Sequence, residues 1–168
     1  MSRRVLVAGI GNIFLGDDGF GVEVAARLVG RPMPDGVTVT DFGIRGVHLA
    51  YELLEGYDVL VLIDAMPMGE RPGTLAVLEA EPPPPPEEGD DIAALVDAHS
   101  MSPAVVLGLL AGLGGSVGRV LVVGCEPAEL DEAIGLSPPV AEAVDRAVEL
   151  CTEVVAELFA TAAKETTR

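Results

Sequence analysis

The chain has 168 residues, enough for one domain (1–168) with a real core, and with 49% apolar but only 4% aromatic residues that core must be built from Val, Leu, Ile and Ala. A formal net charge of −17 argues against a nucleic-acid backbone or an anionic membrane as partner; it fits a basic or metal-bearing one, and it also keeps a chain in solution. Cys125 and Cys151 stand far apart with no Cys-x-x-Cys, which fits a reducing compartment and offers neither a disulfide framework nor a zinc ribbon.

The opening run Val5–Ala8 is short and apolar and reads as a buried strand. It is too short for a signal-peptide core, and no stretch is long and apolar enough to span a bilayer, so a cytoplasmic location is expected. A glycine-rich turn follows, carrying Gly9, Gly11 and Asn12, then two adjacent acids, Asp17 and Asp18, and Gly19 and Gly21 at a helix entrance. The apolar stripe Val22, Ala25, Ala26, Leu28 and Val29 predicts a helix over 19–29. Val37–Thr40 is a β-branched strand ending at Asp41, and 47–54 reads as a second helix, on which His48 stands four residues before Glu52 as an exposed pair. Val59–Ile63 is a third buried strand, stopped by Asp64.

Three strand–helix units in succession predict a parallel sheet covered on both faces. The next strand, Thr74–Leu78, follows after too few residues for a parallel crossover, so it is expected to run antiparallel and make the sheet mixed. Five consecutive prolines, Pro82–Pro86, favour an extended surface excursion. A helical turn is expected over 92–96, His99 lies in the loop before Ser102-Pro103, and Ala104–Leu113 is the helix those two open. Val120–Val123 is a fifth buried strand, followed by Gly124-Cys-Glu-Pro127, and Ser137-Pro138 opens a last helix to about Thr161. The expected fold is α/β, three layers αβα, around a mixed, mostly parallel five-stranded sheet.

In such sheets ligands bind beyond the carboxyl ends of the strands, where the strand order reverses. Asp17, Asp18, Asp41 and Asp64 all follow or end strands, and the loop carrying His99 precedes a helix that packs on the same sheet. Asp64, directly after five apolar residues, is half-buried by construction and needs a partner or a metal. Two carboxylates and one imidazole suit a divalent ion of borderline hardness with coordination positions left open. Asp18, Asp64 and His99 are therefore expected to converge. A dinucleotide fold is the rival reading of Gly9-x-Gly11, but Phe14 stands where a third glycine belongs, and Asp17 and Asp18 would repel a pyrophosphate. Cys125 near His99 could serve as a nucleophile, against its plainer reading as a small buried apolar residue. There is no Gly-x-Ser-x-Gly elbow for serine chemistry.

Taken together these motifs resemble the endopeptidases that mature nickel–iron hydrogenases. Gly9-Ile-Gly-Asn-Ile-Phe-Leu-Gly-Asp-Asp-Gly-Phe-Gly-Val22 resembles the family's N-terminal motif, Asp64-Ala65 its second and His99 its third. Gly124-Cys-Glu-Pro127 through Gly135-Leu-Ser-Pro138 resembles its C-terminal pattern. Asp18 is a methylene shorter than the Glu frequent at that position, and Asp41-Phe-Gly-Ile44 lacks the threonine of the usual Asp-x-Gly-Thr. The resemblance implies removal of a C-terminal peptide from a hydrogenase large-subunit precursor after nickel insertion. It assigns nickel contact and catalysis to Asp18, Asp64 and His99, with the nickel supplied by the precursor. A chaperone that checks the metal without cutting would use the same three residues.

Overall fold

The computed structural model describes residues 3–81 and 103–166. The proline run, the turn expected at 92–96 and His99 lie outside the described residues.

Strands β1 (Val5–Ile10), β2 (Val37–Gly43), β3 (Val59–Ala65), β4 (Leu75–Ala80) and β5 (Arg119–Cys125) form one sheet in the order β2-β1-β3-β5-β4. β2, β1, β3 and β5 are parallel to their neighbours; β4 pairs antiparallel with β5, as the short β3–β4 connection requires. The described helices are α1 (Phe20–Leu28), α2 (Gly46–Leu53), α3 (Pro103–Gly112) and α4 (Pro138–Thr166), with a 3₁₀ turn over Gly16–Gly19.

Strand alternation divides the apolar residues between two cores. Val5, Val7, Val59, Val61, Ile63 and Val123 point to the face covered by α1 and α4, and Leu6, Ala8, Leu60, Leu62, Val120 and Val122 to the face covered by α2 and α3. The three-layer αβα arrangement follows. It also explains why β1, and β3 as far as Ile63, are apolar: both faces of each are covered.

The strand order reverses between β1 and β3. The chain leaves β1 for β2 on one side and returns through α2 to β3 on the other. The crevice at their carboxyl ends is the ligand position of open α/β sheets. Backbone contact closes it tightly: a Cβ on Gly21 would stand 2.1 Å from the Ile63 carbonyl oxygen, so only glycine lets α1 enter here.

Candidate active site

Asp64 was expected just past β3, but the strand continues through Ala65, because Asp64 and Ala65 pair with Gly124 and Cys125 of β5. A ladder position holds the carboxylate in place, and it is 9% exposed. Burial, reinforced by the negative charge of Asp18, pushes its carboxyl up to about 8 against the opposing Ala65 N–H. Asp64 therefore holds a proton at neutral pH in the absence of a cation.

Asp18 reaches this point on the 3₁₀ turn after β1. Gly11 has φ +137°, and a Cβ there would lie 1.9 Å from the Asp18 carbonyl oxygen, so the turn folds back against the end of β1 only around a glycine. The Asn12 N–H donates to Asp18 Oδ2 at 2.8 Å, orienting the carboxylate. Asn12 also closes its own turn, its Oδ1 accepting the Phe14 N–H at 2.9 Å.

The neighbouring Asp17 does something else. Its carboxylate is fully buried and accepts four hydrogen bonds: the Ala128 and Glu129 N–H groups and the Ser137 hydroxyl at Oδ2, the Ser137 N–H at Oδ1, all between 2.7 and 2.9 Å. Burial raises its pKa, but the bonds from Ser137, Glu129 and Ala128 outweigh it and leave the carboxyl below the usual carboxylate value. Asp17 ties the turn carrying Asp18 to the loop after β5 and to the start of α4. Backbone bonds extend the tie, the Gly16 N–H donating to the Ala133 oxygen and the Asp17 N–H to the Glu129 oxygen, each at 2.9 Å.

The structure thus brings Asp18 and Asp64 together. No group of three or more His, Cys, Asp or Glu side chains placed to hold a metal occurs among the described residues, and the third residue of the expected set, His99, lies outside them.

Residues 22–154 match the hydrogenase maturation protease (HycI) family. A putative hydrogenase maturation protease of Methanocaldococcus jannaschii is 34% identical over 152 residues, 88% of this chain and 94% of that one. The hydrogenase expression/formation protein HupD of Bradyrhizobium diazoefficiens is 32% identical over 157 residues, 92% of this chain and 79% of its own length. The hydrogenase maturating endopeptidase HybD of E. coli superposes with a TM-score of 0.69 at 28% identity, covering 92% of this chain and 93% of that one. The chain belongs to the hydrogenase maturation protease family.

The dinucleotide reading of Gly9-x-Gly11 gives way to this membership. In this maturation protease the same glycines serve the approach of the 3₁₀ turn and α1 to the sheet. Cys125 is buried at the end of β5, and burial first, then the charges of Asp17 and Glu126, push its thiol up to about 11. It packs as a small apolar residue and is a poor nucleophile. His48 and Glu52 were expected to pair on α2; Glu52 Oε1 instead accepts the Tyr57 hydroxyl at 2.6 Å.

Two residues outside the expected set shape the rim of the crevice. Glu126, 9% exposed, accepts the Met68 N–H at Oε2 and so holds the loop that leaves β3 after Ala65. Asp41, at the end of β2, lines a cavity of about 260 Å³ between the Gly11–Phe14 loop and the Asp41–Arg45 turn. Its Oδ1 is buried with no hydrogen-bond partner. The Arg45 guanidinium fixes that turn by donating to the Asp41 and Phe42 carbonyl oxygens at 2.6 and 3.1 Å. The sequence signal for Asp41 is its position at a strand end; for Glu126 there is none beyond the Gly-x-x-Pro pattern around it.

Proposed function

We propose that this protein is the endopeptidase that removes the C-terminal peptide of a nickel–iron hydrogenase large-subunit precursor, and that it recognises the precursor through nickel already inserted there. The observation that carries the reading is the Asp18–Asp64 pair. Two carboxylates at one crevice, one of them buried and forced to hold a proton, favour taking up a cation. With His99 as the third donor they form a set of two oxygens and one nitrogen, which suits nickel and leaves positions for the precursor's own ligands and for water. A set without thiolate holds an ion weakly by itself, which suits reading an ion that belongs to the substrate.

Asp18, Asp64 and His99 would hold the precursor's nickel, which would supply polarisation of the scissile carbonyl or a bound water of lowered pKa. Alternatively, a carboxylate of the pair would act as general base on water, its pKa raised by its acidic neighbour. The protein works in the cytoplasm in this reading: no described helix is long and apolar enough to cross a membrane, and both cysteines are free.

The test is the mass of nickel-loaded and nickel-free precursor after incubation with the purified protein, together with a metal assay of the protein alone. Nickel-loaded precursor should lose its C-terminal peptide and nickel-free precursor should not, while the protein itself carries little metal. Asp64→Asn and His99→Ala should abolish cutting. Equal cutting of both precursors, or a tightly held stoichiometric zinc in the protein, would defeat the nickel reading. Binding without any change in mass would identify a chaperone.

A further inference from the structure

Among the described residues, four large apolar side chains are more than three-fifths exposed, and three of them stand at the carboxyl edge of the sheet: Ile134 at 83%, Ile44 at 64% and Phe14 at 61%. The fourth, Val29, follows α1 at the opposite edge. The three lie on separate loops that the fold draws together. Phe14 and Ile44 line the same cavity, as does Ile13. The Ala133 N–H donates to the Phe14 carbonyl oxygen at 3.0 Å, which brings Ile134, the next residue, alongside. Asn12, bonded to Asp18, precedes Ile13 and Phe14 directly in the chain, so the apolar residues border the acidic crevice.

Exposed apolar residues gathered in one place mark a surface for another macromolecule. Here the charge at the centre selects the occupant. A second copy of this chain would face Asp18 and Asp64 with the same acids, between partners of net charge −17 each. A partner with a cationic centre surrounded by apolar surface meets both requirements. We infer that Ile13, Phe14, Ile44 and Ile134 form a docking rim for the folded body of the hydrogenase precursor around its metal centre, so that apolar contact supplies affinity and the acids read the ion. This rests on the function proposed above and goes beyond it by placing the recognition of the protein partner outside the crevice.

The rim holds its shape without help from its own apolar tips. Its three loops are fixed by the Asp17 clamp, the Asn12 turn and the Arg45 bonds, so replacing a tip changes the surface and not the scaffold. Processing of nickel-loaded precursor by Phe14→Ser, Ile44→Ser and Ile134→Ser, with KM and kcat determined separately, tests the inference. Each variant should raise KM about tenfold or more and leave kcat within about twofold, as expected of affinity that is equal in ground and transition states. Val29→Ser, equally exposed at the far edge, should match the wild type. An unchanged KM in all three rim variants, an equal loss in Val29→Ser, or a wild-type dimer that Ile134→Ser dissolves with KM unaltered would overturn the docking rim. Should the wild type bind precursor without cutting it, with binding lost in the rim variants, the peptidase reading would fall and the rim would stand.

Discussion

Replacing Asp64 by Asn should make the metal-free protein more stable, and increasingly so as pH rises. The native carboxyl titrates at about 8 and the unfolded one at its ordinary 3.8. Below pH 3.8 both states hold the proton and the group contributes no pH dependence. Between 3.8 and 8 only the native state holds it, so wild-type stability falls as pH rises, by about 1.4 kcal/mol per pH unit. Above 8 the loss is complete, with a ceiling of about 6 kcal/mol. Between pH 5 and pH 9 the slope amounts to about 4 kcal/mol at most, and solvent at the crevice lowers it. Asparagine keeps the shape without a titrating group, so its advantage over wild type grows over this range and levels off above pH 8. Denaturant unfolding of both proteins at pH 5, 7 and 9, after chelation, measures the difference and cancels the titration of the carboxylates remote from Asp64. A difference that is flat with pH, or an Asn variant that loses ground as pH rises, would refute a protonated Asp64 and with it the cation-seeking pair.

Three further outcomes are expected. Asp17→Ala strands the three backbone N–H groups and the hydroxyl that its carboxylate receives, and should cost about 3–5 kcal/mol in denaturant unfolding. Because the native Asp17 pKa lies below 3.8, the stability it contributes is present above that pH and lost as pH falls through the native value, so Asp17→Asn should flatten the acid limb of the unfolding curve. Cys125 should resist iodoacetamide at pH 7.5 until the protein unfolds, and Cys125→Ala should process precursor at a near wild-type rate. Glu126→Gln keeps an acceptor for the Met68 N–H and should retain activity, whereas Glu126→Ala frees the loop after Asp64 and should reduce kcat about tenfold or more with the fold intact by circular dichroism.

The sheet was legible because apolar runs of four or five residues between glycines and acids admit little else, and the antiparallel β4 because nine residues cannot hold a crossover. Strand ends were less so. β3 runs two residues past the apolar run and carries Asp64 inside the ladder, a pairing decided by β5 some sixty residues later. The last helix runs on to Thr166, past the expected Thr161. Asp18 and Asp64 were legible as strand-end acids. The separate work of Asp17 was not, because adjacent identical residues differ only in what the fold brings to each, and Ser137 lies 120 positions away. Nor did periodicity point to Phe14, Ile44 or Ile134, since loops have none.

That separation of Asp17 from Asp18 explains how a crevice can hold acids in an unfavourable state. Asp17 meets four donors and stays ionised, and the bonds it accepts stabilise the turn on which Asp18 stands. Asp64, with one opposing N–H and the Asp18 charge beside it, favours its protonated form at neutral pH, and a cation would shift that balance. Asp17 is next to Asp18 in the chain, so the tie holds that member of the pair directly. Without the tie, Asp18 would swing into water and the repulsion would relax. Without the repulsion, the crevice would have no preference for a charged centre over any other peptide surface. In the function proposed above, selectivity for a metal-bearing partner would reside in the repulsion that Asp18 exerts on an ionised Asp64, with Asp17 holding Asp18 in place.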